Sequence, residues 1–360
     1  MTLRKAFDMS KESSGLAEFE KMMPPAQIEA VLAHYAVPPV DQIEVGGGTA
    51  SPKVVLTTRE GRMLLKRRRQ EFSLPEVVAY DHSVLRHLKA AGLPVACPLH
   101  TRDETTAVFH EQWAFELMPF IENVEPYRQG DPAQVRAAGR ALAQFHNATA
   151  GWTPEGRKDW RREFHAGANA VTLRNTIAAW EASGVRGEAL DTARRMLRLL
   201  DRTAECVADS RVAALPHTIC HGDYTIANVF FSGSDVAAIF DFDWSLRQCR
   251  LDDLARGVIT FASWRPKPID GSSIWSLTQA WKTDMALSRE FLTSYAQLTK
   301  YAAGERASLP WFVCEVALSM RVRAMRKVLD GQKLSILTID MPPLLTWLEQ
   351  GVQELAALGK

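Results

Sequence analysis

Polar residues crowd both ends of one short segment in the second half of this chain. The run Cys220-His221-Gly222-Asp223-Tyr224-Thr225-Ile226-Ala227-Asn228 leads into the apolar stretch Val229-Phe230-Phe231. A polar turn follows from Ser232 to Asp235, then a second apolar stretch from Val236 to Phe240, and then Asp241-Phe242-Asp243. Two short apolar runs about a polar turn read as a β-hairpin, which brings its polar ends together. Phosphoryl transfer needs such a set: one carboxylate to orient the attacking hydroxyl, and a carboxylate with an amide to hold the Mg²⁺ that bridges the phosphates. Mg²⁺ is a hard cation that prefers oxygen and takes few protein ligands, so Asp and Asn suit it. On that reading Asp223 is the candidate base, Asn228 and Asp241 are candidate metal ligands, and Asp243 is a further acidic group. Taken singly, each is as well explained as a turn residue or a strand end. Taken together at ordered spacings, they point to chemistry.

The segment from His221 to Asp243 resembles the catalytic core of the aminoglycoside phosphotransferase and homoserine kinase-like superfamily, which also includes choline kinases and methylthioribose kinases. The likeness rests on an H-G-D-x-x-x-x-N motif, an I-D-F-D-like strand end, and a D-L-A helix start at Asp253-Leu254-Ala255. It implies an α+β, two-lobed, protein-kinase-like fold with a small β-rich N-terminal lobe and a larger, mainly helical C-terminal lobe. It also implies ATP and Mg²⁺ as cofactors and a small-molecule alcohol as acceptor. Asp223 would be catalytic, Asn228 and Asp241 would bind metal, and Asp253 would brace the catalytic loop, although a helix-start role is the plainer account of Asp253. Thr225-Ile226 stands where this family commonly has His-Pro, which bears on the acceptor and leaves Asp223 and Asn228 in place. Thr225 and the lack of an A-P-E segment after Asp241 separate the chain from protein kinases. The resemblance covers about residues 40–330 and is specific only over 221–255.

Elements must position these groups. Residues 26–36 read as a short helix, and strands are expected at 42–45, 53–58, 62–67, 105–110 and 112–118. The spacing predicts a helix over 75–91, with Pro75 at its start and Gly92 as its stop, and with Val77, Val84, Leu85 and Leu88 on the apolar face. Asp81 falls on that same face and needs a buried partner. Lys66 alternates onto the inner face of its strand, where it is either a snorkelling edge residue or the cation that pairs with Asp81 and contacts the α- and β-phosphates. Glu76 is the alternative partner. Gly46, Gly47 and Gly48 lie between strands, where backbone amides could cover phosphates, but they match no G-x-G-x-x-G pattern. The resemblance places adenine at a crossover from Glu116 to Met118, on backbone groups. This gives an N-terminal nucleotide-binding lobe over 1–118 and a helical catalytic and substrate-binding lobe over 119–360. The helical part opens with a helix over 132–148 that carries Val135, Ala138, Leu142 and Phe145 on one stripe.

At 360 residues the chain exceeds what one core usually supports. With 43 basic and 42 acidic residues, no global field favours nucleic acid or an anionic membrane. The five cysteines are widely spaced and form no C-x-x-C pair, so buried free thiols in a reducing compartment are expected. No stretch has the 18 or so apolar residues of a membrane span, and the first residues lack a signal-peptide core, so a cytoplasmic location is expected.

The acceptor is read only coarsely. From Ser245 to Asp330 there are thirteen Lys/Arg and eight Asp/Glu. That balance disfavours polycationic aminoglycosides and favours a neutral or carboxylate-bearing alcohol, unless residues such as Arg321, Arg323, Arg326 and Lys327 merely face solvent. Six of ten tryptophans follow position 240, and Trp244, next to Asp243, is the one placed to meet a substrate. An antibiotic phosphotransferase and a catalytically silent nucleotide-binding scaffold are the competing readings.

Overall fold

A computed structural model of the chain describes residues 22–46, 51–159, 165–269 and 273–358. It divides into two compact units: one reaches Asn123 and takes in Thr153–Asp159, and the other holds Val124–Trp152 and the chain from Trp160 onward. A single cut near Met118, as the sequence suggested, does not foresee the return of 153–159 to the first unit. The return has local causes. Arg157 N–H donates to Glu76 O at 3.0 Å, Glu155 N–H donates to Ser83 Oγ at 3.0 Å, and Lys158 forms a buried ion pair with Asp81.

In the first unit, helix α1 (Pro25–Leu32) precedes strands β1 (Val40–Val45), β2 (Lys53–Thr58) and β3 (Gly61–Arg67). Helix α2 (Pro75–Ala90) and strands β4 (Val108–His110) and β5 (Trp113–Pro119) complete it. The sheet is antiparallel, in the order β1-β2-β3-β5-β4. Alternation with period two sends Leu65, Phe115 and Leu117 into one apolar core with Ile28 and Val31 of α1. The opposite face carries Lys66, Ala114 and Glu116, and Ala114 packs there with Val78 of α2. Helix α2 begins with Pro at its first position and stops before Gly92 at φ 82°, a left-handed position that suits glycine. Its apolar residues Val77, Val84, Leu85 and Leu88 are buried, as the 3.6-residue period requires.

In the second unit the principal helices are α3 (Pro132–Thr149), α4 (Ala166–Ala182), α5 (Glu188–Cys206), α6 (Leu251–Phe261), α7 (Met285–Ala296), α8 (Glu305–Ala324) and α9 (Met341–Gln350). Between α5 and α6 lie β6 (His217–Cys220), β7 (Val229–Ser232), β8 (Asp235–Ile239) and β9 (Leu246–Cys249). The side chain of Asp131 caps α3 through Ala133 N and Gln134 N, and that of Asp284 caps α7 through Ala286 N and Leu287 N. The two helices approach closely at Gly139, where a Cβ would stand 2.4 Å from the Phe291 carbonyl oxygen. Strands β7 and β8 form the expected hairpin, with Val229 opposite Ile239 and Ser232 opposite Asp235. Strand β9, which the sequence reading left unassigned, pairs with β6 so that Cys220 faces Leu246. Among the described residues no helix is long and apolar enough to cross a membrane. All five cysteines are free; Cys220, Cys249 and Cys314 are buried as expected, whereas Cys97 and Cys206 are half-buried.

Candidate active site

The polar ends of the hairpin are tied together by hydrogen bonds. Asn228 Nδ2 donates to the Asp223 carbonyl at 2.9 Å and to Asp223 Oδ2 at 2.8 Å. The backbone of Asn228 in turn accepts from Phe240 N–H at 2.8 Å, which sets Asn228 in register with the residue before Asp241. His221 closes the same link from its side chain. Its Nε2 donates to Phe240 O at 2.8 Å, and its Nδ1 accepts from Asp223 N–H at 3.2 Å. These partners assign the neutral tautomer with the proton on Nε2. Burial lowers the His221 pKa, which keeps the ring in that state against the raising influence of Asp253 and of the Phe240 carbonyl. The Phe242 ring, 4.7 Å from His221 between centroids, fixes the imidazole from one side.

Asp241 sits at φ 62° and ψ 72°, left-handed geometry that is costly for a non-glycine residue and that concentrates at functional sites. This conformation turns the chain out of β8 into the 3₁₀ turn of Phe242–Trp244. Asp243 is buried and Trp244 half-buried. The guanidinium of Arg323 lies over the Trp244 ring at 5.7 Å.

Behind the loop, Asp253 is fully buried and spends both oxygens on it. Oδ2 accepts from His221 N–H at 2.6 Å and Oδ1 from Gly222 N–H at 2.9 Å. Burial alone would raise the Asp253 pKa; the hydrogen bond and charge of His146, 3.2 Å away, reverse that and lower it. His146 is anchored at its other nitrogen by Tyr295 Oη at 2.9 Å. His146, Cys220 and Asp253 lie close enough together to resemble a metal site, but Asp253 and His146 are engaged in this brace. Gly222 is required twice over: its φ is 78°, and a Cβ there would meet Trp244 O at 2.2 Å. Gly222→Ala should therefore lower stability by about 1–3 kcal/mol and reduce turnover, checked by urea unfolding and by initial rates. Unchanged stability would show that the loop has room to shift.

Helix α6 carries a second contact with this loop. Arg256, one turn beyond Asp253, places Nη1 3.6 Å from Asp223 Oδ1, and its Nε donates to Asp252 Oδ2 at 3.2 Å. Sequence reasoning missed it. The signal was present, since a residue three positions after Asp253 shares its helix face.

The first unit holds its own charged cluster. Lys66 Nζ lies 3.5 Å from Glu116 Oε1, directly across the β3–β5 register. Glu116 Oε2 accepts from Arg68 Nη1 at 3.3 Å and contacts His82 Nε2 at 2.8 Å. Burial would raise the Glu116 carboxyl; the Arg68 and Lys66 charges and the His82 hydrogen bond hold it well below the usual carboxylate range. Asp81 is buried as expected, and Arg68 and Lys158 form ion pairs with it. Glu76, the alternative partner, is exposed. Strand register thus gives Lys66 a strand carboxylate, Glu116, as a partner. Met118, on the same strand, is half-buried. Gly46 donates its N–H to Lys53 O at 2.8 Å at the end of the first hairpin, while Gly47 and Gly48 lie outside the described residues.

Residues 41–290 match the model of the phosphotransferase enzyme family, and the chain belongs to that family. A curated homoserine kinase from Methylobacterium nodulans is 29% identical over 234 residues, covering 63% of this chain and 65% of the relative, a little under two thirds of its length. Among solved structures, an aminoglycoside phosphotransferase from Alicyclobacillus acidocaldarius superposes with a TM-score of 0.66 at 17% identity, covering 91% of this chain and 95% of that one. A microcompartment-associated aminopropanol kinase gives 0.68 at 15% identity, over 93% and 99%. The small β-rich first unit and the mainly helical second unit are those of this kinase-like fold.

Proposed function

We propose that this enzyme transfers the γ-phosphate of ATP, with Mg²⁺, to the hydroxyl of a small metabolite, and that homoserine-like or other neutral or carboxylate-bearing alcohols are preferred to aminoglycosides. The observation that carries the proposal is the closed hairpin, in which Asn228 holds the Asp223 carboxylate while His221 ties Asp223 to the residue before Asp241. A silent nucleotide-binding scaffold has no use for a carboxylate held in that way.

Mg²⁺ fits the residues present. The Asn228 amide nitrogen is spent on Asp223, so its oxygen is the face it offers a cation, and Asp241 adds a carboxylate. When bound, the ion neutralises charge on the phosphates. Asp223 orients the acceptor hydroxyl and takes its proton as the new O–P bond forms and the bond from the γ-phosphorus to the bridging oxygen breaks, with ADP leaving. Lys66 contacts the α- and β-phosphates, and the chain from Glu116 to Met118 offers backbone groups to adenine. A cytoplasmic location accords with five free cysteines.

The charges of the second unit support this acceptor class. Arg256 lies beside Asp223, and Arg323 already covers a face of Trp244, which argues against a cage for a quaternary ammonium. The relatives named for homoserine and aminopropanol are kinases of small alcohols. With labelled ATP and Mg²⁺, L-homoserine-type alcohols should show kcat/KM at least about tenfold above kanamycin, the equivalent of one favourable charge contact. Strong aminoglycoside resistance in cells expressing the gene would overturn this preference. ATP binding with transfer to no acceptor would favour the scaffold.

A further inference from the structure

We propose that Arg256 is a positioning residue for the transfer, fixing the rotamer in which the Asp223 carboxylate meets the acceptor hydroxyl; the inference rests on the kinase reading above. The side chain of Asp223 is 35% exposed, whereas that of Arg256 is 3% exposed. Asn228 Nδ2 holds the carboxylate at Oδ2, and a carboxylate open to solvent on one side keeps freedom about its terminal torsion unless its other oxygen is also held. Arg256 Nη1, 3.6 Å from Oδ1, supplies a second constraint on the other oxygen.

The clamp is itself anchored. Arg256 Nε donates to Asp252 Oδ2 at 3.2 Å, and Asp252 Oδ2 also accepts from Gln248 Nε2 at 3.2 Å, at the β9 end of the same turn. A guanidinium suits this task because its rigid planar fork presents separate N–H groups to two carboxylates in a fixed geometry, which a rotatable ammonium does not. Helix α6 thereby holds the catalytic loop at two levels. Asp253 takes the backbone at His221 and Gly222, and Arg256, one turn on, takes the side chain of Asp223.

A cation beside the base reduces its proton affinity, which would harm a mechanism limited by proton abstraction. Phosphoryl transfer through a loose transition state asks chiefly for placement of the nucleophile, so the gain in orientation outweighs that loss. Misplacement by about 1 Å is enough to cost about 10²-fold in rate.

The test is a double-mutant cycle on the full chain with R256M, D223N and the double variant, using the best acceptor from the panel above. R256M should lower kcat about 10²-fold while leaving KM for Mg·ATP within about twofold. R256K should recover part of the loss, since it keeps the charge without the fork. In the D223N background R256M should change kcat by less than about twofold, because its effect runs through Asp223. Equal factors in both backgrounds, or an unchanged kcat in R256M alone, would overturn the proposal. Should R256M fail to fold, R256K carries the same cycle. Should no acceptor be turned over, the kinase reading fails on its own, and the shifts in urea midpoint decide the clamp: non-additive shifts support it and additive shifts overturn it.

Discussion

Asp241→Ala should abolish turnover and remove the Mg²⁺-dependent part of ATP binding, whereas Asp223→Asn should leave Mg·ATP affinity nearly intact and lower kcat by about 10²–10⁴, the usual contribution of a positioned base. The two carboxylates flank the open end of one hairpin, one before β7 and one after β8, and are held by different means. Asp223 is oriented by Asn228 and Arg256, and its carboxylate is partly open to solvent, as a group that meets an acceptor must be. Asp241 is aimed by a left-handed backbone, which the surrounding hydrogen bonds at Phe240 impose. ATP titrations of each variant, with and without Mg²⁺, separate the roles. Loss of metal-dependent binding in Asp223→Asn with retention in Asp241→Ala would reverse them, and full activity in both would remove the kinase reading.

Asp223→Asn is also nearly isosteric. The Asn228 amide that donates to Asp223 Oδ2 could still find an oxygen there, so the loop should keep its shape. A rate loss without a stability loss is therefore the expected signature.

What could be read from the sequence was local. The α2 face, its Pro75 start and its Gly92 stop followed from a 3.6-residue period, and the hairpin followed from two apolar runs about a turn. The bracing by Asp253 followed from the family resemblance, and its hydrogen bonds to His221 and Gly222 give it a physical basis. Partners chosen across the fold were not legible. Alternation put Lys66 on the right face, but only the β3–β5 register selects Glu116, whose side chain the sequence reading treated as incidental. Lys158 reaches Asp81 from beyond the expected boundary, and no local pattern announces such a return. Arg321 illustrates the reverse error. Read as one of a run that faces solvent, it is buried and donates Nη1 to Ile336 O at 2.8 Å, while Arg326 and Lys327 are exposed.

The Glu116 cluster carries the second large effect. Glu116→Gln should raise KM for ATP and destabilise the first unit by about 3–5 kcal/mol, the cost of removing one member of a buried ionic group. The substitution removes the charge that Lys66, Arg68 and His82 share and can set amide hydrogens against donors. Lys66→Met should leave Glu116 with Arg68 and His82, so its stability loss should be smaller, while kcat/KM for ATP falls about 10²–10³-fold. Asp81→Asn weakens the hold on Arg68 and Lys158, and it should cost stability with less effect on KM for ATP than Glu116→Gln. Glu76→Gln, at an exposed position, should change neither. Urea unfolding and ATP saturation curves on the four variants give both axes. An Asp81→Asn variant that reproduces the ATP defect of Lys66→Met, beside a Glu116→Gln variant that loses stability alone, would mean that the lysine takes its working position from the helix carboxylate and not from the strand.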